Sequence, residues 1–417
     1  VRPFTYEQGR LCVDKVPVDD VVGGVGTPAY VYSLDAMAAA YRTLQEAFAE
    51  FSPEIFYSVK ANSNLAVLRR LRSLGAGFDV VSGGELTRVL AAGGDPARIS
   101  FAGVAKTAEE LELSVKHDVI VHVESADEVP RLQEAAAAQG ARVRFGIRIN
   151  PGVKVDTLVH MQTGSDRAKF GVVPQVARAI VDRVAAGEFP DLRLAGVHMH
   201  VGSMIPNPGD MVRAAETLVE VLSYGQGRGL TGMRRLDLGG GFPISYGPMD
   251  EAPDVPVPAD FAAALAPLLR SADADLVLEP GRFVAGAAGA LITRVMLNKD
   301  PAGRRMVVVD TGMHHFVRPA LYQAGHQIVP VVQAPGAGPT EVVGPICEST
   351  DRLAPAAELP LLRPGDLLAV LDTGAYGMVM ASNYNNQPRP PEIVVEGGRA
   401  RVARRRETWQ DQLVFEE

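Results

Sequence analysis

The stretch Glu54-Ile55-Phe56-Tyr57-Ser58-Val59-Lys60-Ala61-Asn62 decides how the chain is read. Ile55, Phe56, Tyr57 and Val59 form a short β-branched and aromatic run, the length of a buried strand. Asn62 or Asn64 can cap a helix carrying Leu65, Val67, Leu68 and Leu71 at helical spacing, and Gly75 can end it. Lys60 therefore sits where a strand hands over to a helix. In a β/α barrel or an open α/β sheet, that is the end where chemistry is done. A lysine that attacks a carbonyl needs its pKa of about 10.4 lowered by desolvation or a neighbouring charge. A lysine snorkelling from a strand end would look the same in isolation, so the rest of the chain decides.

Outward from this stretch the pattern repeats. Strand-like runs occur near 54–60, 78–82, 99–103, 119–124, 143–149, 194–202, 234–238 and 274–279, with helical patterns between most of them. Thr107 with Glu110, and Ser125 with Glu128, read as capping boxes. Eight strands separated by helices predict an α/β fold of the (β/α)8 TIM-barrel type over 31–281. A doubly wound sheet would need a topological switch point, and none is marked. Beyond 282 the pattern becomes short β-rich runs near 292–299, 305–310, 327–332, 340–345, 367–372, 391–396 and 399–405, punctuated by Gly/Pro turns. This predicts a second, all-β domain (barrel or sandwich) built from 1–30 plus 282–417.

Length and composition agree. The chain's 417 residues, 47% of them apolar, suit two domains with a sizeable core. A net charge of −8, spread rather than blocked, argues against nucleic acid as a partner. The two cysteines, Cys12 and Cys347, cannot build a disulfide framework or a cysteine-based zinc site, and fit a reducing cytoplasm. No signal-peptide core opens the sequence, and no run approaches the ~18 apolar residues of a membrane span.

In a barrel the eight strand ends share one rim. Here that rim gathers Lys60, Asp79, Arg148-Ile149-Asn150, His198-Met199-His200-Val201-Gly202-Ser203, Gly239-Gly240-Gly241 and Glu279-Pro280-Gly281-Arg282. Adjacent glycines let backbone N–H groups approach an anion, and Arg282 and Ser203 add donors for a phosphate. His198 and His200, two apart on a strand, are expected to point the same way. They would suit a metal only with a third ligand, which no nearby acid pattern offers, so no metal is expected. A flat ring of His200 stacked on a cofactor is favoured instead. Lysine, phosphate cradle and strand-end carboxylate together suggest pyridoxal phosphate, with Glu279 holding its ring nitrogen protonated.

These motifs resemble the pyridoxal-phosphate decarboxylases with an alanine-racemase-like barrel, specifically the diaminopimelate decarboxylase family, over nearly the whole chain. Further motifs shared with it are Arg318-Pro319-Ala320-Leu321-Tyr322, Cys347-Glu348-Ser349-Thr350-Asp351 and Gly374-Ala375-Tyr376-Gly377. The resemblance implies that Lys60 forms the Schiff base, His200 stacks on the ring and Glu279 meets its nitrogen. It implies that Asp79 and Arg148 support the cofactor, and that Ser203, Gly240, Gly241, Gly281, Arg282 and Tyr376 surround its phosphate. Arg282, Arg318, Tyr322, Glu348 and Tyr376 would grip a small amino-acid substrate, and Cys347 would donate the proton. It also implies a homodimer that shares its active sites. The expected reaction is decarboxylation of meso-2,6-diaminopimelate to L-lysine, the last step of lysine biosynthesis. The alternative is a related decarboxylase of ornithine, lysine, arginine or a secondary-metabolite amino acid. Met204 stands where glutamine is common in the family, Thr350 where glycine is usual, and 163–171 matches only in part.

Overall fold

The computed structural model describes residues 2–153, 169–249, 251 and 254–416. Eight strands close into a parallel barrel in chain order: β1 (Glu54–Ser58), β2 (Gly77–Val80), β3 (Ile99–Phe101), β4 (Ile120–Val123), β5 (Val143–Arg148), β6 (Leu192–His198), β7 (Arg235–Asp237) and β8 (Asp275–Leu278). Nearly every residue in them is buried, because helices cover the outer wall and side chains fill the inner one. That is why most of them read as apolar runs, although Val143–Arg148 carries two arginines and Arg235–Asp237 has a charge at each end. The barrel closes where Val277 and Leu278 of β8 pair with Glu54 and Ile55 of β1.

The helices between the strands end as their sequences require. Asn64 caps the helix Leu65–Ser73 by accepting from the Ala66 N–H, and Gly75 follows it with φ +86°. Thr107 and Glu110 form the expected capping box. Ser125 and Glu128 form only half of one, with Ser125 Oγ accepting the Glu128 N–H at 3.2 Å. Asp127 is the N-cap there, and Glu128 turns inward to bond the Glu124 N–H and Lys106. A buried cation recruited that carboxylate away from the helix end.

By its contacts the chain divides into two compact units. One holds Tyr41–Pro243 and Val255–Phe283; the other holds Val1–Ala40, Ile244–Asp254 and Val284–Glu417. The first boundary falls later than 31 because Ala29–Ser33 is an inner strand of the second unit's sheet, flanked by Gly289–Lys299 and Glu392–Glu396. Ile244–Asp254 also belongs with that unit, a short excursion that carries no strand signal. The sheet runs in the order 352–359, 338–343, 306–309, 289–299, 29–33, 392–396, 399–404, with 367–370 pairing both 289–299 and 328–330. Strand Arg352–Leu359 was not anticipated. Pro355 interrupts its pattern, which an end position in the sheet tolerates because no ladder bond is needed on the outer side. Its core gathers Val31, Ile292, Val329, Val331, Leu371 and Ile393 beneath the small sheet that begins with Phe4–Glu7 and Arg10–Val13.

Two outcomes test this architecture. A Cβ on Gly196 would lie 1.9 Å from the Arg235 carbonyl oxygen, in the β6–β7 ladder. Gly196→Ala should therefore cost about 1–3 kcal/mol in urea unfolding; a change under about 0.5 kcal/mol would show that the strands are not packed this closely. His315 is buried, its Nδ1 accepting from Thr311 and its Nε2–H donating to the Pro388 carbonyl. Burial, with His314 beside it, lowers its pKa to about 3. Between the ordinary value of 6.5 and about 3, the unfolded chain takes up a proton that the native state refuses. Stability is then lost as pH falls below 6.5, at up to about 1.4 kcal/mol per pH unit for this group. Denaturation of wild type and His315→Gln from pH 7 to 4 should show a shallower acid loss in the variant; parallel slopes would contradict the buried neutral ring.

Candidate active site

Strand β1 ends at Ser58, whose N–H donates to the Pro280 carbonyl at 3.1 Å. The chain then makes a single 3₁₀ turn, Val59–Ala61. Lys60 thus stands on the rim turn, two residues beyond the strand. Its Nζ donates to Asp79 Oδ2 at 2.7 Å, and Ser58 Oγ donates to the same oxygen at 2.8 Å. Asp79 is fully buried, and its Oδ1 has no hydrogen-bond partner among the described residues. Burial and the Glu279 charge push its carboxyl up, while Lys60 and Ser58 hold it down. Glu85, bonded to the Val81 N–H, is raised to about 7, chiefly by burial.

Glu279 follows β8 at 3% exposure. Its Oε1 accepts from Ser100 Oγ of β3 at 3.1 Å, and its Oε2 lies 2.9 Å from His198 Nε2 of β6. The His198 ring stacks on His122 of β4, centroids 4.4 Å apart. Gly146 makes room for that ring, since a Cβ there would meet His122 Nδ1 at 2.5 Å. His122, Asp237 and Glu279 bring one ligand-type atom each within 4.8 Å. Acids do therefore lie near His198, supplied by strands distant in sequence, contrary to the expectation of none. Both Glu279 oxygens, however, are already engaged by His198 and Ser100.

His200 lies past the end of β6, and its environment differs from that of His198. Its Nδ1 accepts the Gly240 N–H at 3.2 Å, so a neutral ring carries its proton on Nε2. Burial, followed by Lys60 and Arg148, holds its pKa well below the usual value. Only part of the expected glycine cradle offers N–H groups outward, because Gly239 spends its own on Asp237 and Gly240 on His200. The glycines serve close approach instead. A Cβ on Gly240 would meet the Glu279 carbonyl at 2.4 Å, and one on Gly241, at φ +107°, would meet Gly202 O at 2.7 Å. Gly281 packs on Ser58, with 3.0 Å left for a Cβ. Arg282 is buried, and its Nε donates to Ser203 Oγ at 3.1 Å. Met204 next to it holds a left-handed φ of 61°. Arg148 donates to Glu124 Oε1 at 2.7 Å, and Glu124 also takes the Gly103 N–H. Sequence reasoning missed Ser100, a lone polar residue in an apolar strand, His122 and Glu124 at the end of Ile120–Val123, and Asp237, which closes the strand Arg235–Asp237.

The remaining predicted residues belong to the other unit. Arg318 opens the helix Arg318–Tyr322 and is 3% exposed. Its Nε donates to His326 Nε2 at 3.4 Å, and its guanidinium lies 5.8 Å and 5.9 Å from the Tyr322 and Tyr246 ring centroids. Cys347 and Glu348 are exposed, and Thr350 Oγ1 donates to Glu348 Oε1 at 2.7 Å. The departure at Thr350 thus bonds a predicted substrate residue. Tyr376 sits at φ 56°, a costly conformation for a tyrosine. Most of the partly matching stretch 163–171 lies outside the described residues.

The barrel residues suit a pyridoxal phosphate. An amine is held by a buried carboxylate that keeps an unpartnered oxygen, a second buried carboxylate stands near, and a guanidinium and a hydroxyl flank glycines with no room for a Cβ. The comparisons agree. Residues 34–286 match the pyridoxal-dependent decarboxylase, pyridoxal binding domain. The diaminopimelate decarboxylase of Pseudomonas aeruginosa is 41% identical over 98% of this chain and 97% of its own. A crystal structure of diaminopimelate decarboxylase from Helicobacter pylori complexed with L-lysine is 36% identical, with TM-score 0.89, covering 95% of this chain and 98% of that one. The M. jannaschii enzyme in co-complex with L-lysine reaches TM-score 0.93 at 30% identity, covering 99% and 97%. The chain belongs to the pyridoxal-dependent decarboxylases.

Proposed function

We propose that this chain decarboxylates meso-2,6-diaminopimelate to L-lysine and carbon dioxide, using pyridoxal 5′-phosphate. The observation that carries the reaction class is the Lys60–Asp79 pair at 2.7 Å, in which a half-buried amine meets a fully buried carboxylate beside Glu279. The substrate class rests on the near-full-length likeness to diaminopimelate decarboxylases, which spans the second unit with Arg318 and Tyr322 as well as the barrel. When bound, the cofactor supplies an electron sink for the charge left as carbon dioxide departs.

The chain's own residues divide the remaining work. Lys60 Nζ tethers the cofactor aldehyde, and Asp79 orients that amine. Glu279 holds the proton on the ring nitrogen, where a buried carboxylate is most effective. His200 covers one ring face, and Arg148 steadies the cofactor's surroundings. Ser203, Gly241, Arg282 and Tyr376 hold the phosphate, and Gly240 and Gly281 leave it room to approach. The end of the substrate that does not react carries a carboxylate and an ammonium. Arg282 and Arg318, with Tyr322 and Tyr376, suit the first, and Glu348 the second. The Cys347 thiol delivers its proton to the carbon that lost carbon dioxide. The exposure of Cys347 and Glu348 favours a homodimer in which Cys347 of the partner subunit and Glu348 of the partner subunit complete each site. Among the described residues no helix is long and apolar enough to cross a membrane, and we place the enzyme in the cytoplasm.

Purified protein should release carbon dioxide faster from meso-diaminopimelate than from L-ornithine, L-lysine or L-arginine; a faster release from any of these would sink the substrate assignment. Lys60→Ala should lose both the Schiff-base absorbance band and activity. Arg318→Ala should lower kcat/KM by roughly 30- to 1000-fold, the loss of about 2–4 kcal/mol from a buried charge pair. An unchanged KM and kcat would remove Arg318 from the substrate clamp.

A further inference from the structure

The barrel interior holds titratable groups that the reaction above leaves unused. His198 closes β6 at 1% exposure, and its Nε2 lies 2.9 Å from Glu279 Oε2. A carboxylate can only accept, so the proton of a neutral ring sits on Nε2. The His198 Nδ1 has no hydrogen-bond partner among the described residues. The groups that act on the ring are Glu279 from beyond β8, His122 from β4, Arg148 from β5, Asp79 from β2, Lys60 from the rim turn and Arg235 from β7. Burial, followed by Arg148, keeps the ring neutral, against the opposing pull of Asp79. A neutral donor orients a carboxylate without cancelling its charge. Ser100 Oγ does the same at Oε1. Each carboxylate oxygen offers about two acceptor positions, so a further donor can still be accepted.

We propose that His198 is a positioning residue for the cofactor: its Nε2–H, with Ser100 on the other oxygen, clamps the Glu279 carboxylate from behind so that it faces the cofactor ring nitrogen. The inference rests on the reading that Glu279 meets that nitrogen. It assigns to His198 a task distinct from that of His200 two residues on, whose Nδ1 is tied to the glycine loop.

The test uses two amides of similar size. His198→Gln can place an N–H where Nε2 stood; His198→Asn places its N–H nearer Nδ1, aimed away from Glu279. Apo-protein is reconstituted with pyridoxal 5′-phosphate while its absorbance band is followed, giving a dissociation constant and the pH midpoint of the band. The Asn variant should bind about tenfold or more weakly and shift the midpoint, as expected for losing a bond to a charged group. The Gln variant should stay within about threefold of wild type. Ser100→Ala, which changes one atom, should shift the midpoint in the same direction. In a Glu279→Gln background the Asn and Gln variants should become indistinguishable. Equal behaviour of Asn and Gln with Glu279 intact, an unmoved midpoint in Ser100→Ala, or an unchanged difference in the Glu279→Gln background would each overturn the clamp. If wild type itself forms no band, the cofactor reading fails first, a result separable from the failure of His198 alone.

Discussion

Strand β8 must pair with strand β1 for the barrel to exist, and the site depends on that seam. Val277 and Leu278 against Glu54 and Ile55 make the closing ladder. The next bond across the seam, from the Ser58 N–H to the Pro280 carbonyl, ties the end of β1 to the Glu279-Pro280-Gly281-Arg282 turn. Ser58 Oγ lies 2.8 Å from Asp79 and 3.1 Å from the Glu279 carbonyl. One residue therefore touches the neighbour of the lysine and the backbone of the second acid. Residues more than two hundred positions apart meet because a closed sheet has no ends. Gly281, packed on Ser58 and Ala61, is what lets the two turns approach.

Behind that seam the barrel interior is unusually polar. Asp79, Ser100, His122, His198, Asp237 and Glu279 are all buried, and each comes from a different strand or its end. Burial raises the two aspartates and lowers the two histidines, so each group is driven towards its neutral form. Such an arrangement is poor evidence of stability, since apolar residues would fill the space at less cost. It suits a site where one carboxylate must hold a proton on a cofactor and another must orient an amine. Function accounts for what packing alone would not select.

Much of this was legible beforehand, for a physical reason. The eight barrel strands are covered on both faces, so most show as apolar runs, and helix caps such as Thr107–Glu110 are local chemistry. What stayed hidden is non-local. His122 reads as one polar residue within Ile120–Val123, and its stacking partner is 76 positions away. Glu128 has the spacing of a capping residue, yet Lys106 draws it inside. The glycine triplet looks in the sequence like a row of anion donors, whereas two of its N–H groups face Asp237 and His200. Strand Arg352–Leu359 carries a proline that its sheet-end position and a register shift at that point accommodate. Beyond the expected 1–30, the second unit takes in 31–40 and 244–254 through pairing and packing that no local pattern announces.

The most direct measurement of the central claim is covalent. Purified protein loaded with pyridoxal 5′-phosphate is reduced with borohydride, digested and mapped by mass spectrometry. The account predicts one stoichiometric phosphopyridoxyl group, carried by the peptide that contains Lys60. Attachment to Lys106, to a scatter of surface lysines or to none would contradict it.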